Sequence, residues 1–165
     1  MALKHEAVVD SWNVLVIGGA GRGEWAIERI DTKLGEAKMP GVHAQERDVS
    51  SGLFGTKRHF LVVGHNALRD YHMYIGARDF GTHLDVSWYL TIEPGPLKRA
   101  VSKYTMGNPQ ALSMQIDFFS QQDMSAFVTG AHHCVKETVQ ELYEELKLDP
   151  TGLLNTKSKG FLSVW

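Results

Sequence analysis

From Tyr71 to Glu93 the chain specifies a β-hairpin and assigns each side chain to a face. Leu84, Val86, Trp88, Leu90 and Ile92 are apolar, and His83, Asp85, Ser87, Tyr89, Thr91 and Glu93 alternate with them. Successive side chains of a strand point to opposite faces, so a period of two describes a ribbon with one greasy and one polar side. Folding about Phe80-Gly81 is expected to set Ala77 opposite Leu84, Ile75 opposite Val86, Met73 opposite Trp88 and Tyr71 opposite Leu90. The same register sets Arg78 against His83, Tyr74 against Ser87 and His72 against Tyr89, so each face keeps one character. A slip of one residue would mix the faces. The hairpin therefore belongs to an antiparallel sheet whose outer side is polar and rich in aromatic residues.

The elements around it follow from similar patterns. Asn13 to Ile17 reads as a short buried strand, and Gly18-Gly-Ala-Gly-Arg-Gly23 leads from it into a helix. Ala26, Ile27, Ile30, Leu34 and Ala37 form that helix's apolar stripe, and Pro40-Gly41 ends it. Val42 to Ser51 is polar and suits an exposed edge strand, Gly52 to Gly55 a turn, and Arg58 to Gly64 a central strand that is apolar on both faces. Pro94-Gly-Pro96 closes the hairpin's second arm. Leu97, Ala100, Val101 and Tyr104 suggest a short helix, and Leu112 to Phe119 one more strand.

Ser120 and Asp123 stand at capping-box spacing ahead of the longest helix, from about Asp123 to Lys147. Met124, Phe127, Val128, Ala131, Val135, Thr138, Val139, Leu142 and Leu146 mark its buried side. The expected class is α+β: an antiparallel sheet of about five to six strands, packed on one face by the long C-terminal helix. In element order alone this is similar to helix-grip and TATA-binding-protein-like folds, and the resemblance implies a curved antiparallel sheet gripping a long C-terminal helix. Fold analogy of this kind assigns no activity.

The chain has 165 residues, enough for a single globular domain, 1–165, that buries roughly 70% of its unfolded surface without staples. Cys134 is the only cysteine, so an internal disulfide or a multi-cysteine zinc site is ruled out, and a reducing, cytoplasmic setting is expected. The start, Met-Ala-Leu-Lys-His-Glu, lacks the apolar core of a signal peptide, and no apolar run is long enough for a membrane span. A net charge of −2 argues against a dedicated duplex-DNA binder, so nucleic acid and membrane are not the expected partners.

Three groups of residues invite chemistry. The glycine loop is the first: Gly19, Gly21 and Arg22 precede a helix N-terminus, where an anion or nucleotide would be held. The dinucleotide fingerprint fails, however, because the sixth place counted from Gly19 is Glu24. The eight histidines are the second. His132, His133 and Cys134 are consecutive on a helix and fan out roughly 100° apart, so they cannot share one ion. Surface histidines and no metal or cofactor are the expectation. The third group is the hairpin's polar face, where His72, Tyr74, Arg78, His83, Asp85 and Tyr89 supply acids, bases and donors.

The leading expectation is a small binding module. Its ligand would lie between sheet and helix near Trp88, Met73 and Phe127, in a cavity of about 300 Å³ or more, or on the outer face with Tyr74 and Tyr89. The alternatives are an enzyme using the polar-face residues, and a homo-oligomer, such as a homodimer, held by an edge strand or by the apolar tail ending at Trp165. Lys57-Arg58 and Lys98-Arg99 with Lys103 form two basic groups that would matter if they converged beside the tyrosines.

Overall fold

A computed structural model describes residues 7–50, 56–93, 117–154, 156–160 and 162–164. Strand β1 (Ala7–Val16) leads to helix α1 (Gly23–Glu36), and then β2 (Val42–Ser50), β3 (Lys57–His65), β4 (Tyr71–Phe80) and β5 (His83–Ile92) follow as a meander. Helices α2 (Phe118–Glu145) and α3 (Thr151–Leu154) complete the described elements. The five strands form one antiparallel sheet in the order β1-β5-β4-β3-β2, so α1 carries the chain from one edge to the other. This is the expected α+β class. Among the described residues no helix is long and apolar enough to cross a membrane.

The alternation assigned the hairpin's faces correctly. Leu84, Val86, Trp88, Leu90 and Ile92 are all buried in the core, together with Met73 and Ile75 of the other arm. Ala26, Ile27, Ile30 and Leu34 of α1 and the apolar stripe of α2 close over the same face. The two helices are stitched side by side: Arg29 Nε donates to Glu141 at 2.8 Å, and Lys33 Nζ lies 3.0 Å from Glu141 and 3.3 Å from Glu137.

The register, however, differs from the expected one by two residues. Phe80 pairs with His83, Ala77 with Val86, Ile75 with Trp88 and Tyr71 with Ile92, and the turn is Gly81-Thr82. A two-residue shift keeps every side chain on its face, so the hydrophobic pattern cannot detect it. Turn chemistry decides instead. Gly81 has φ +64°, the left-handed conformation that the first central residue of a tight hairpin turn requires. A turn about Phe80-Gly81 would have demanded that conformation of an aromatic residue.

Two further boundaries move. β1 is ten residues long and forms an edge of the sheet, with Leu15 and Ile17 partly exposed, instead of a short buried strand over Asn13 to Ile17. The cap of α2 is Asp117, whose carboxylate accepts the Phe119 and Ser120 amides, so residues 117–119 start a helix and do not end a strand. The turn at residues 52–55, the basic group at residues 98–103, the short helix near residue 100, the strand from residue 112 to 116, and Phe161 and Trp165 lie outside the described residues.

The feature that shapes the outer face is the seam between β3 and β4. The two strands pair only from Leu61–Ile75 to Gly64–His72. Beyond that point β4 continues along β5 to Phe80, and β3 continues along β2 to Lys57. The sheet therefore splits along its middle, and Phe60 and Gly76 stand at the point of the split.

Candidate ligand-binding face

The inner position comes first. Trp88 and Met73 have no accessible surface, and Phe127 has 2%. A void able to hold even a water molecule would leave such residues some surface. Trp88 Nε1 donates to His132 Nδ1 at 2.9 Å. The imidazole meets both Trp12 and Trp88 edge-on, with centroids 5.2 and 5.7 Å away. Because an indole N–H can only donate, Nδ1 accepts and the ring carries its proton on Nε2. His132 is thus a core residue, contrary to the expectation of surface histidines. The space an apolar ligand would need beside Trp88 and Met73 is filled by protein. Phe127 alone reaches an opening, of about 520 Å³, at the rim where Met39, Val42 and His65 meet α2.

The polar-face candidates separate into groups. Tyr74 is buried under Phe60, whose ring meets it edge-on at 6.0 Å, and both join Val49 and Val62 in a small apolar cluster. His83 sits at the hairpin turn, where its Nδ1 accepts the Gly18 amide at 3.3 Å. His72 belongs to a different cleft, near the β3–β4 connection. Only Arg78, Asp85 and Tyr89 come together. The shifted register sets Arg78 opposite Asp85, with Nε 3.5 Å from Oδ2, and its guanidinium lies 5.9 Å above the Phe80 ring. The six residues do not form a nucleophile-base-orienter set.

What the three do form is the side of a notch of about 310 Å³ in the outer face. Its floor is Gly76, a strand position without a side chain, and the ring of Phe60 leans over it. Glycine inside a strand often marks a close approach by another group. Tyr89, 38% exposed, and Ser87 stand on the opposite side. Lys57 and Arg58 complete the rim, so the first basic group does converge beside an aromatic ring. Arg78 is balanced by Asp85, whereas Lys57 and Arg58 make no ion pair among the described residues.

His59 also reaches the rim. Its Nδ1 lies 3.1 Å from Asp48 and its Nε2 3.2 Å from Glu46. The hydrogen bond to Asp48, supported by the Glu46 charge against the cost of burial, holds its pKa above the usual histidine value. The carboxylates occupy opposite edges of the ring and cannot gather around one ion. Among the described residues no three such side chains are placed to hold a metal.

At the glycine loop an internal carboxylate stands where an anion would sit. The Gly21 amide donates to both Asp79 oxygens, at 2.9 and 3.1 Å, the Gly19 amide donates to the Val16 carbonyl, and Arg22 pairs with Glu145. A phosphate arriving there would have to displace Asp79. The described part of the tail folds back on β1: Lys159 N donates to Ser11 O at 2.6 Å, and Leu162 N donates to the buried Asp10 at 3.1 Å.

No known protein family, curated protein or solved structure matches this chain.

Proposed function

We propose that this protein is a small binding module whose outer-face notch takes an anionic ligand with a flat apolar part. The observation that carries this reading is the notch beside Gly76, lined by the rings of Phe60 and Tyr89, with two cations at its rim, Lys57 and Arg58, that make no ion pair among the described residues. Its volume of about 310 Å³ stands at the small end of ligand sites, which suits a single ring with a carboxylate or phosphate. Rings flanking a flat group and a guanidinium facing an oxyanion are the two contacts such a ligand rewards. The chain as a whole is slightly acidic, so this local excess of positive charge is a property of the site and not of the composition.

The test is a titration of the isotope-labelled protein with benzoate, read from backbone amide shifts. Saturable shifts centred on Gly76, Ser87 and Phe60, and weakened in Arg58→Gln, are the expected result. Shifts that do not saturate, or that are unchanged in Arg58→Gln, would defeat the reading.

A further inference from the structure

A second opening lies on the sheet near the β3–β4 connection, and its chemistry differs from that of the notch. It measures about 500 Å³, and among the described residues its polar lining is His43, His65, Asn66, Arg69, Tyr71 and His72, with no carboxylate. We propose that this cleft binds a phosphate or a phosphate ester.

The register builds the cradle. His43, Gly64 and His72 stand in one row across β2, β3 and β4. Strands lie roughly 4.8 Å apart, so the two histidines start about two strand spacings apart, on either side of a residue without a side chain. The His43 ring lies over Gly64, where a Cβ would come 2.8 Å from its Nε2.

The donors are set without any imidazole having to be charged. His65 Nδ1 accepts the Ala67 amide at 3.2 Å, so its proton sits on Nε2, which lies over Gly41 at the edge of the cleft. His72 Nδ1 is shut off from solvent and has no hydrogen-bond partner among the described residues. Orphaned buried N–H groups are rarer than under-satisfied acceptors, which places the His72 proton on Nε2 as well. Burial, with the charge of Asp70, pushes the Tyr71 phenol up to about 12, so it also remains a donor. Arg69 is exposed and makes no ion pair among the described residues. Asp70 is the sequence neighbour of this wall, and Glu93 meets it through its amide, which donates to the Asp70 carbonyl at 2.7 Å, yet neither lines the cleft. A lining rich in donors, with Arg69 as its permanent cation and no carboxylate among its described residues, is complementary to a tetrahedral oxyanion.

The experiment follows the histidine ring resonances and the Arg69 side-chain signals during titration with inorganic phosphate, at fixed pH and with ionic strength held by sodium chloride. Glycerol phosphate and dimethyl phosphate serve as parallel arms and separate a free or monoester phosphate from a diester. Saturable shifts at His43, His72 and Arg69 that chloride does not reproduce are expected. Arg69→Gln should weaken them roughly tenfold, the size of one charge-assisted bond, with Arg69→Lys recovering part of the loss. Gly64→Ala, whose methyl would strike the His43 ring and push it out of place, should weaken binding while leaving the benzoate response of the notch intact. Equal shifts with chloride, or full affinity in Arg69→Gln, would overturn the proposal. Because Arg69 is exposed, that variant tests the site even if Gly64→Ala fails to fold.

Discussion

The two faces of the sheet use the same kinds of residue to opposite ends. On the inner face an imidazole and two indoles, His132, Trp12 and Trp88, are locked together with no accessible surface to spare. On the outer face imidazoles and aromatic rings lean over glycines, Phe60 over Gly76 and His43 over Gly64, and openings remain beside them. Residue type therefore does not distinguish a core from a binding face here. What distinguishes them is whether a helix covers the side chains and whether the neighbouring strand contributes a side chain at all.

The largest effect that tests this contrast is at Trp88. Trp88→Ala should cost about 3–5 kcal/mol in urea unfolding, whereas Tyr89→Ala, the next residue but on the outer face, should stay within roughly 0.5–1 kcal/mol. Similar losses for both would break the comparison. Next comes His132→Phe, which keeps the ring but takes away the acceptor for the Trp88 indole N–H. A loss of about 1–3 kcal/mol is expected, with a change in near-ultraviolet circular dichroism at the tryptophan bands.

A smaller effect is expected in acid. The hydrogen bond from Arg29, with help from Lys33, holds the Glu141 carboxyl at about 2, below its ordinary 4.5. A depressed carboxylate contributes stability above its unfolded value and loses it as pH falls toward the folded one. Wild type should therefore lose stability between about pH 4.5 and pH 2 more steeply than Glu141→Gln, followed by thermal melting across that range. The smallest effect belongs to His59, which is exposed and whose pKa is raised. Its contribution is present below the ordinary histidine value and fades as pH rises through the raised one. His59→Gln should flatten that weak dependence in wild-type melting curves, and an unchanged slope would remove the bridge between Glu46 and Asp48 from the account.

Much of the architecture was legible because it rests on periods. The two-residue alternation of Leu84 to Glu93 gave the faces, and the helical stripe of α2 gave its buried side. His132 was legible too: it lies four residues after Val128 and three before Val135, on the stripe itself, and only its polarity argued otherwise. The cap of α2 was visible as Asp117 three residues before Ser120, although Phe118 and Phe119 look like strand residues.

The hairpin register needed the turn, because a shift of two leaves the pattern unchanged. The notch was the hardest to foresee. Tyr89, Arg78 and Asp85 were among the candidates, but Gly76 matters only through Phe60, which comes from another strand, and through the early end of the β3–β4 ladder. Neither leaves a local trace. The cleft at Gly64 has the same origin, since His43 and His72 are far apart in sequence and meet across a glycine on the strand between them.

Four residue pairs hold β3 to β4, while nine join β2 to β3 and ten join β4 to β5. Under tension across the strands the sheet would tear along that short join first. A molecule lodged against Phe60 on one half and Tyr89 on the other would then act as a rivet, and its presence should be felt as mechanical strength as much as affinity.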